Sequence, residues 1–219
     1  MEKTEKKKRI KSKEYLDKTF LEELNHKIWC TKGARFNADS RFKNKSKWST
    51  ISVSFLSAYL IIASLISVYN INQSSDNNTI NYLVTALSIL LLVVSMYENN
   101  QDYKLRANNY HNCGLELAEI YNSLRIFKTL KDSKSESEIV EFCSNINEQY
   151  QIILNKYDNH ERLDYDTFRV NNLLDYFEEE LTIKEIKKIK RKLIWNIKGW
   201  YIMMIVIIPL LLITLVILT

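Results

Sequence analysis

The stretch richest in reactive groups is Asp158-Asn-His-Glu-Arg-Leu-Asp-Tyr-Asp166. It sets His160 among the carboxylates of Asp158, Glu161, Asp164 and Asp166, the residue types of a metal centre or an acid–base pair. Either chemistry requires the groups to converge. The sequence offers no further ligands nearby: His26 and His111 are distant, and Cys30, Cys113 and Cys143 lack CxxC spacing. An odd set of thiols without that spacing reads as free cysteines in a reducing compartment. The competing reading is a helix–helix turn. There Asp164 or Asp166 caps a helix that begins near Thr167, and His160 fixes the turn by hydrogen bonding. We expect this structural turn. No phosphate loop, nucleophile motif or zinc spacing occurs, so we expect no enzyme, no catalytic or metal-binding residues and no cofactor.

A second set of polar residues stands inside apolar sequence. Two blocks, Ile51 to Tyr69 and Ile80 to Tyr97, contain no Lys, Arg, Asp or Glu. Each approaches the ~20 residues that carry a helix across ~30 Å of hydrocarbon. Joined by the short loop Asn70–Thr79, they read as a transmembrane hairpin. Thr50, Ser54, Ser57 and Ser64 share one face of the first helix, with Ser67 beside them. Asn81, Thr85, Ser88 and Ser95 share one face of the second, with Asn99 just beyond. Small hydroxyl residues let membrane helices pack closely; the same faces could line a wetted pore. Both readings stand at this point.

The elements around these residues follow from charge and periodicity. Arg41, Lys43, Lys45 and Lys47 precede the hairpin, Lys104 and Arg106 follow it, and its loop carries only Asp76. Basic flanks stay on the cytoplasmic side, so both hairpin ends face the cytoplasm. A third uncharged run, Gly199 to Thr219, follows Lys184, Lys187, Lys188, Lys190, Arg191, Lys192 and Lys198, with Trp195, Trp200 and Tyr201 at its entrance. It reads as a third span with its C-terminus outside; the alternative is an in-plane or re-entrant segment. Pro209 within it frees a backbone carbonyl that a neighbour must satisfy.

Only three glycines and one proline in 219 residues argue for long helices. The net charge of +5 is uneven: residues 1–48 hold 15 Lys and Arg against 7 Asp and Glu. Attraction to anionic headgroups accounts for this excess, and direct nucleic-acid binding is not expected. The expected fold is therefore an all-α membrane protein. A basic tail (1–13) leads to a juxtamembrane amphipathic helix (14–48) with Leu21, Leu24 and Ile28 as its stripe. The hairpin occupies 49–97, a cytosolic helical hairpin or bundle 98–198, and the C-terminal span 199–219. In the cytosolic part, Tyr103, Tyr110, Leu117 and Leu124 recur every seven residues, with Cys113, Ile120 and Phe127 offset by three. This heptad-like seam suits packing within a bundle or between subunits, and is a candidate oligomer seam. Ser135 or Ser137 would cap the next helix, whose apolar stripe runs from Ile139 to Tyr157. A last apolar stripe comprises Leu173, Leu174, Phe177, Leu181 and Ile183, beside the acidic run Glu178–Glu180.

Three stretches resemble the SLATT family, the SMODS- and SLOG-associating two-TM effector domains of bacterial conflict systems. They are Ala34-Arg-Phe-Asn-Ala-Asp-Ser-Arg41, Tyr103-Lys-Leu-Arg-Ala-Asn-Asn-Tyr-His-Asn-Cys-Gly114 with Leu117–Leu124, and Tyr157-Asp-Asn-His-Glu-Arg-Leu-Asp-Tyr165. The resemblance implies an anti-phage effector of the bacterial inner membrane, with its N-terminus and helical domain in the cytoplasm. On activation it would oligomerise and form a pore or perturb the membrane. The implied partner is a sensor or messenger-producing protein encoded nearby: a nucleotidyltransferase, a SLOG protein or a reverse transcriptase. The third span departs from the family's two-span plan. The alternative function is a non-conducting membrane-anchored scaffold or sensor that recruits or restrains a partner protein.

Overall fold

The computed structural model describes residues 18–68, 77–130, 133–173 and 181–218. The expectations for the basic tail, for the loop with Asp76, and for Leu174, Phe177 and Glu178–Glu180 lie outside the described residues. All regular elements among the described residues are helical. They are α1 (Phe20–Val68), α2 (Asn77–Asn99), α3 (Tyr103–Thr129), α4 (Glu136–Lys156), α5 (Arg162–Asn171), α6 (Ile183–Ile194), a π-helical turn (Trp195–Gly199) and α7 (Trp200–Leu218). The expected juxtamembrane helix and first span are one helix of 49 residues, unbroken at Gly33.

The chain divides into two compact units, residues 1–39 with 108–177 and residues 40–107 with 178–219. The first is a helical bundle. Leu21, Leu24 and Ile28 of α1 meet Cys113, Leu117, Ile120 and Leu124 of α3 and Cys143, Ile146, Tyr150 and Ile153 of α4. Spacings of three and four place each set on one helical face, and a fully buried Leu or Ile contributes about 1.5–3 kcal/mol. Of the two packings open to the heptad seam, the structure shows the one within the bundle: Tyr110, Leu117 and Leu124 are buried within the chain, and α1 and α4 face Leu117 and Leu124. The fourth seam residue, Tyr103, falls in the second unit. Ser135 is the N-cap of α4: its Oγ accepts from Glu138 N, while Glu138 Oε2 accepts from Ser135 N at 2.9 Å. This reciprocal pair satisfies two of the helix's otherwise orphaned donors. Phe127 and Phe142 stack at 3.8 Å where α3 and α4 meet.

The second unit contains the apolar sequence. Among the described residues, two helices are long and apolar enough to cross a membrane, Phe20–Val68 and Ile183–Leu210. Only 11% and 17% of their most apolar windows are buried, whereas a soluble core helix would be largely covered. On α2, Ile89, Leu92 and Val93 are likewise exposed. Helix α7 runs through Pro209 without ending. Proline at position 209 cannot donate to the Ile205 carbonyl one turn back. That carbonyl instead accepts the Tyr59 hydroxyl of α1 at 3.1 Å. Ser67 Oγ donates to Asn81 Oδ1 at 2.6 Å, joining α1 to α2.

Candidate functional site

In the first unit the three motif stretches come together. Ala34 and Ala38 are fully buried, and their small side chains let α1 approach its neighbours. Arg35 is buried with them. Its Nη1 donates to the Asp158 carbonyl and its Nη2 to Asn159 Oδ1 at 3.3 Å, and its guanidinium lies 5.8 Å from the Tyr110 ring centroid. The Tyr110 hydroxyl donates to the Asn159 carbonyl at 3.0 Å, and Asn37 Nδ2 to the Asp164 carbonyl at 3.2 Å. Asp39 Oδ2 stands 3.3 Å from His111 Nδ1. The Phe36 ring meets His111 edge-on and fills the space over Gly114, where a Cβ would come within 2.8 Å of it. The close approach at Gly114 is thus made by the Phe36 side chain.

The carboxylates around His160 do not converge on it. Helix α5 begins at Arg162, not near Thr167. Asp164 is fully buried and closes the first turn from inside, its Oδ2 accepting from Glu161 N at 3.0 Å. Asp166 faces Arg162 at 3.8 Å and Arg169 at 3.7 Å along the helix surface. His160 does not fix the turn by hydrogen bonding, because its Nδ1 is buried without a partner. Burial, then the Arg35 charge, hold its imidazole below the usual range, with Asp164 opposing. A neutral ring without a bonded carboxylate is poorly placed for acid–base work. Among the described residues no group of three or more His, Cys, Asp and Glu could hold a metal ion. The three cysteines are buried and form no disulfide; burial pushes the Cys113 thiol up, away from the reactive thiolate. The cluster is a clamp. It binds the turn at residues 157–161 to α1 through a buried guanidinium and two carbonyl groups.

The second unit holds the span hydroxyls. Thr50, Ser54, Ser57 and Ser64 on α1 and Thr85 and Ser88 on α2 each donate to a carbonyl one turn back in the same helix. These side chains therefore present satisfied, weakly polar surface and do not bridge the two helices. Thr50, Ser54 and Ser95 are exposed on an open cleft of about 620 Å³ that also borders Glu98 and Asp102. Thr85 and Ser88 are exposed farther along α2, while Ser57 and Ser64 are half-buried.

Sequence reasoning missed three arrangements in this second unit. Glu98 is buried and accepts the Tyr201 hydroxyl at 3.0 Å, and that hydroxyl stands 3.3 Å from the Tyr103 hydroxyl. The Phe42 ring lies beneath the guanidinium groups of Arg41 at 4.4 Å and Arg106 at 4.2 Å. Lys198 Nζ lies 5.1 Å from the Trp48 ring centroid. A carboxylate and aromatic rings at the ends of apolar runs were the available signals, but pairing them required the tertiary contacts.

No curated protein and no solved structure matches the sequence. A family described as SMODS and SLOG-associating 2TM effector domain family 5 matches it over residues 17–218, nearly the whole chain. The three stretches that carry the earlier resemblance lie within that match, each contributes residues to the buried clamp, and the chain belongs to this family of membrane effector domains.

Proposed function

We propose that this protein is the membrane effector of a bacterial anti-phage system. It oligomerises and opens a pore, or perturbs the inner membrane, when a partner sensor is activated. The observation that carries this reading is the state of the span hydroxyls. Thr50, Ser54 and Ser95 line an open cleft, and Thr85 and Ser88 are exposed, without bonding across to a neighbouring helix. A hydroxyl closed on its own helix tolerates lipid or packing in a resting state and can face water in an open one. Two or three helices cannot enclose a water path while keeping their backbone groups satisfied against lipid, so a pore requires several chains in symmetric array. We read three spans, α1 from about Trp48, α2 and α7, with the first unit and the N-terminus cytoplasmic and the C-terminus outside. The family description points to SMODS or SLOG proteins as the partner class. Helices α1 and α3 each contribute residues to both units, so a trigger acting on the bundle has two helical routes to the spans.

Ion leakage from liposomes tests the proposal. The wild-type chain, supplied with its activated partner, should release K⁺. A Ser57→Leu/Ser64→Leu variant should assemble but release none. A chain that oligomerises or binds its partner without leakage is the scaffold of the alternative reading.

A further inference from the structure

We infer that α6 is a docking surface for anionic phospholipid headgroups at the inner face of the membrane. Its twelve residues include Lys184, Lys187, Lys188, Lys190, Arg191 and Lys192 against one acid, Glu185. Glu185 is engaged at the helix start, its Oε2 accepting from Thr182 N at 2.9 Å and from Thr182 Oγ1 at 2.8 Å. At 100° per residue, Lys184, Lys187, Lys188 and Arg191 fall within one third of the circumference. Ile183, Ile186, Ile189 and Leu193 take the other side. Lys190 alone enters the apolar sector, where a long stem can lie along it and carry the ammonium group to its edge. No residue of α6 is buried. Ile183 is 73% exposed and Trp195, at the start of the π turn, 72%.

A helix with one exposed cationic face, one partly exposed apolar face and no fully buried residue fits an anionic interface. Continuity fixes which one: α6 passes through the π turn directly into apolar α7. Lys198, in that turn, lies over Trp48 at the start of the apolar part of α1. The ligand is a bilayer headgroup bearing a phosphodiester and net negative charge, such as phosphatidylglycerol. The inference does not depend on pore formation.

The test uses the purified full chain in neutral detergent, incubated with equal phosphatidylglycerol and phosphatidylcholine. Retained lipid is counted by mass spectrometry after washing. We expect phosphatidylglycerol to be enriched at least about tenfold, as four clustered cations near an anionic surface imply. A variant with Lys184→Gln, Lys187→Gln, Lys188→Gln and Arg191→Gln should lose most of that enrichment with unchanged elution volume. A control with Lys6→Gln, Lys7→Gln, Lys8→Gln and Arg9→Gln should keep it. Equal retention of the two lipids overturns the inference, as does enrichment that survives the α6 variant or disappears with the tail control. A short single-stranded RNA that binds wild type but not the α6 variant, while lipid retention stays equal, would assign the surface to nucleic acid instead.

Discussion

At the residue scale, the bond from Tyr59 to the Ile205 carbonyl makes the clearest claim, because Pro209 explains why that acceptor is open. Tyr59→Phe should destabilise the chain in detergent by about 0.6–1.7 kcal/mol, the range for side-chain hydrogen bonds in membrane helices. In a Pro209→Ala background the helix can close its own bond, so the same substitution should cost measurably less. Equal costs in the two backgrounds would mean that Tyr59 does not serve the proline. The proline's need was legible in the sequence; the donor was not, because Tyr59 and Ile205 are 146 positions apart. Gly33 makes a second residue-scale claim. A Cβ there would overlap the Phe168 ring. Gly33→Ala should therefore lower the thermal midpoint, although alanine favours a helix interior by about 1 kcal/mol. A raised midpoint would show that the ring moves aside.

At the element scale, the seven-residue recurrence on α3 was read correctly as an apolar face, but its partner could not be. A heptad stripe looks the same whether it meets another chain or a helix of its own. Here α1 and α4 cover it, since Leu21, Leu24 and Ile28 continue a similar stripe on the helix that also enters the apolar sequence. Leu117→Ala should accordingly cost about 2–5 kcal/mol as a core cavity. The loss in thermal midpoint should not depend on protein concentration; a concentration-dependent loss would restore the subunit seam. The turn before α5 gives a pH prediction. Folding holds His160 below its usual value of 6.5 through burial and Arg35, so the unfolded chain takes up a proton first as pH falls. The neutral ring's contribution is full above the unfolded value and is lost as pH drops through the folded one. Wild-type stability minus that of His160→Gln should decline as pH falls below the usual imidazole value of 6.5. A flat difference would place the ring in solvent. The sequence pointed to a turn with an aspartate at the next helix start, and Asp164 does close the first turn of α5; the start itself lies at Arg162, earlier than near Thr167, and Asp166 faces Arg162 and Arg169 along the helix.

At the scale of the whole molecule, the all-helical class of the described residues followed from scarce glycine and proline, uncharged runs and apolar periodicity, all of them local signals. The division into units was not local: α1 and α3 each contribute to both, so boundaries drawn at changes of composition cut through continuous helices. The proposed function rests on the whole assembly, and the conductance of the purified protein in a planar bilayer tests it most directly. Oligomeric mass is measured in the same detergent, with and without the activated partner. The account predicts discrete conductance from one defined oligomer, abolished by Ser57→Leu/Ser64→Leu at unchanged mass. A chain that stays electrically silent with its partner bound, or a double variant that conducts like wild type, would contradict it.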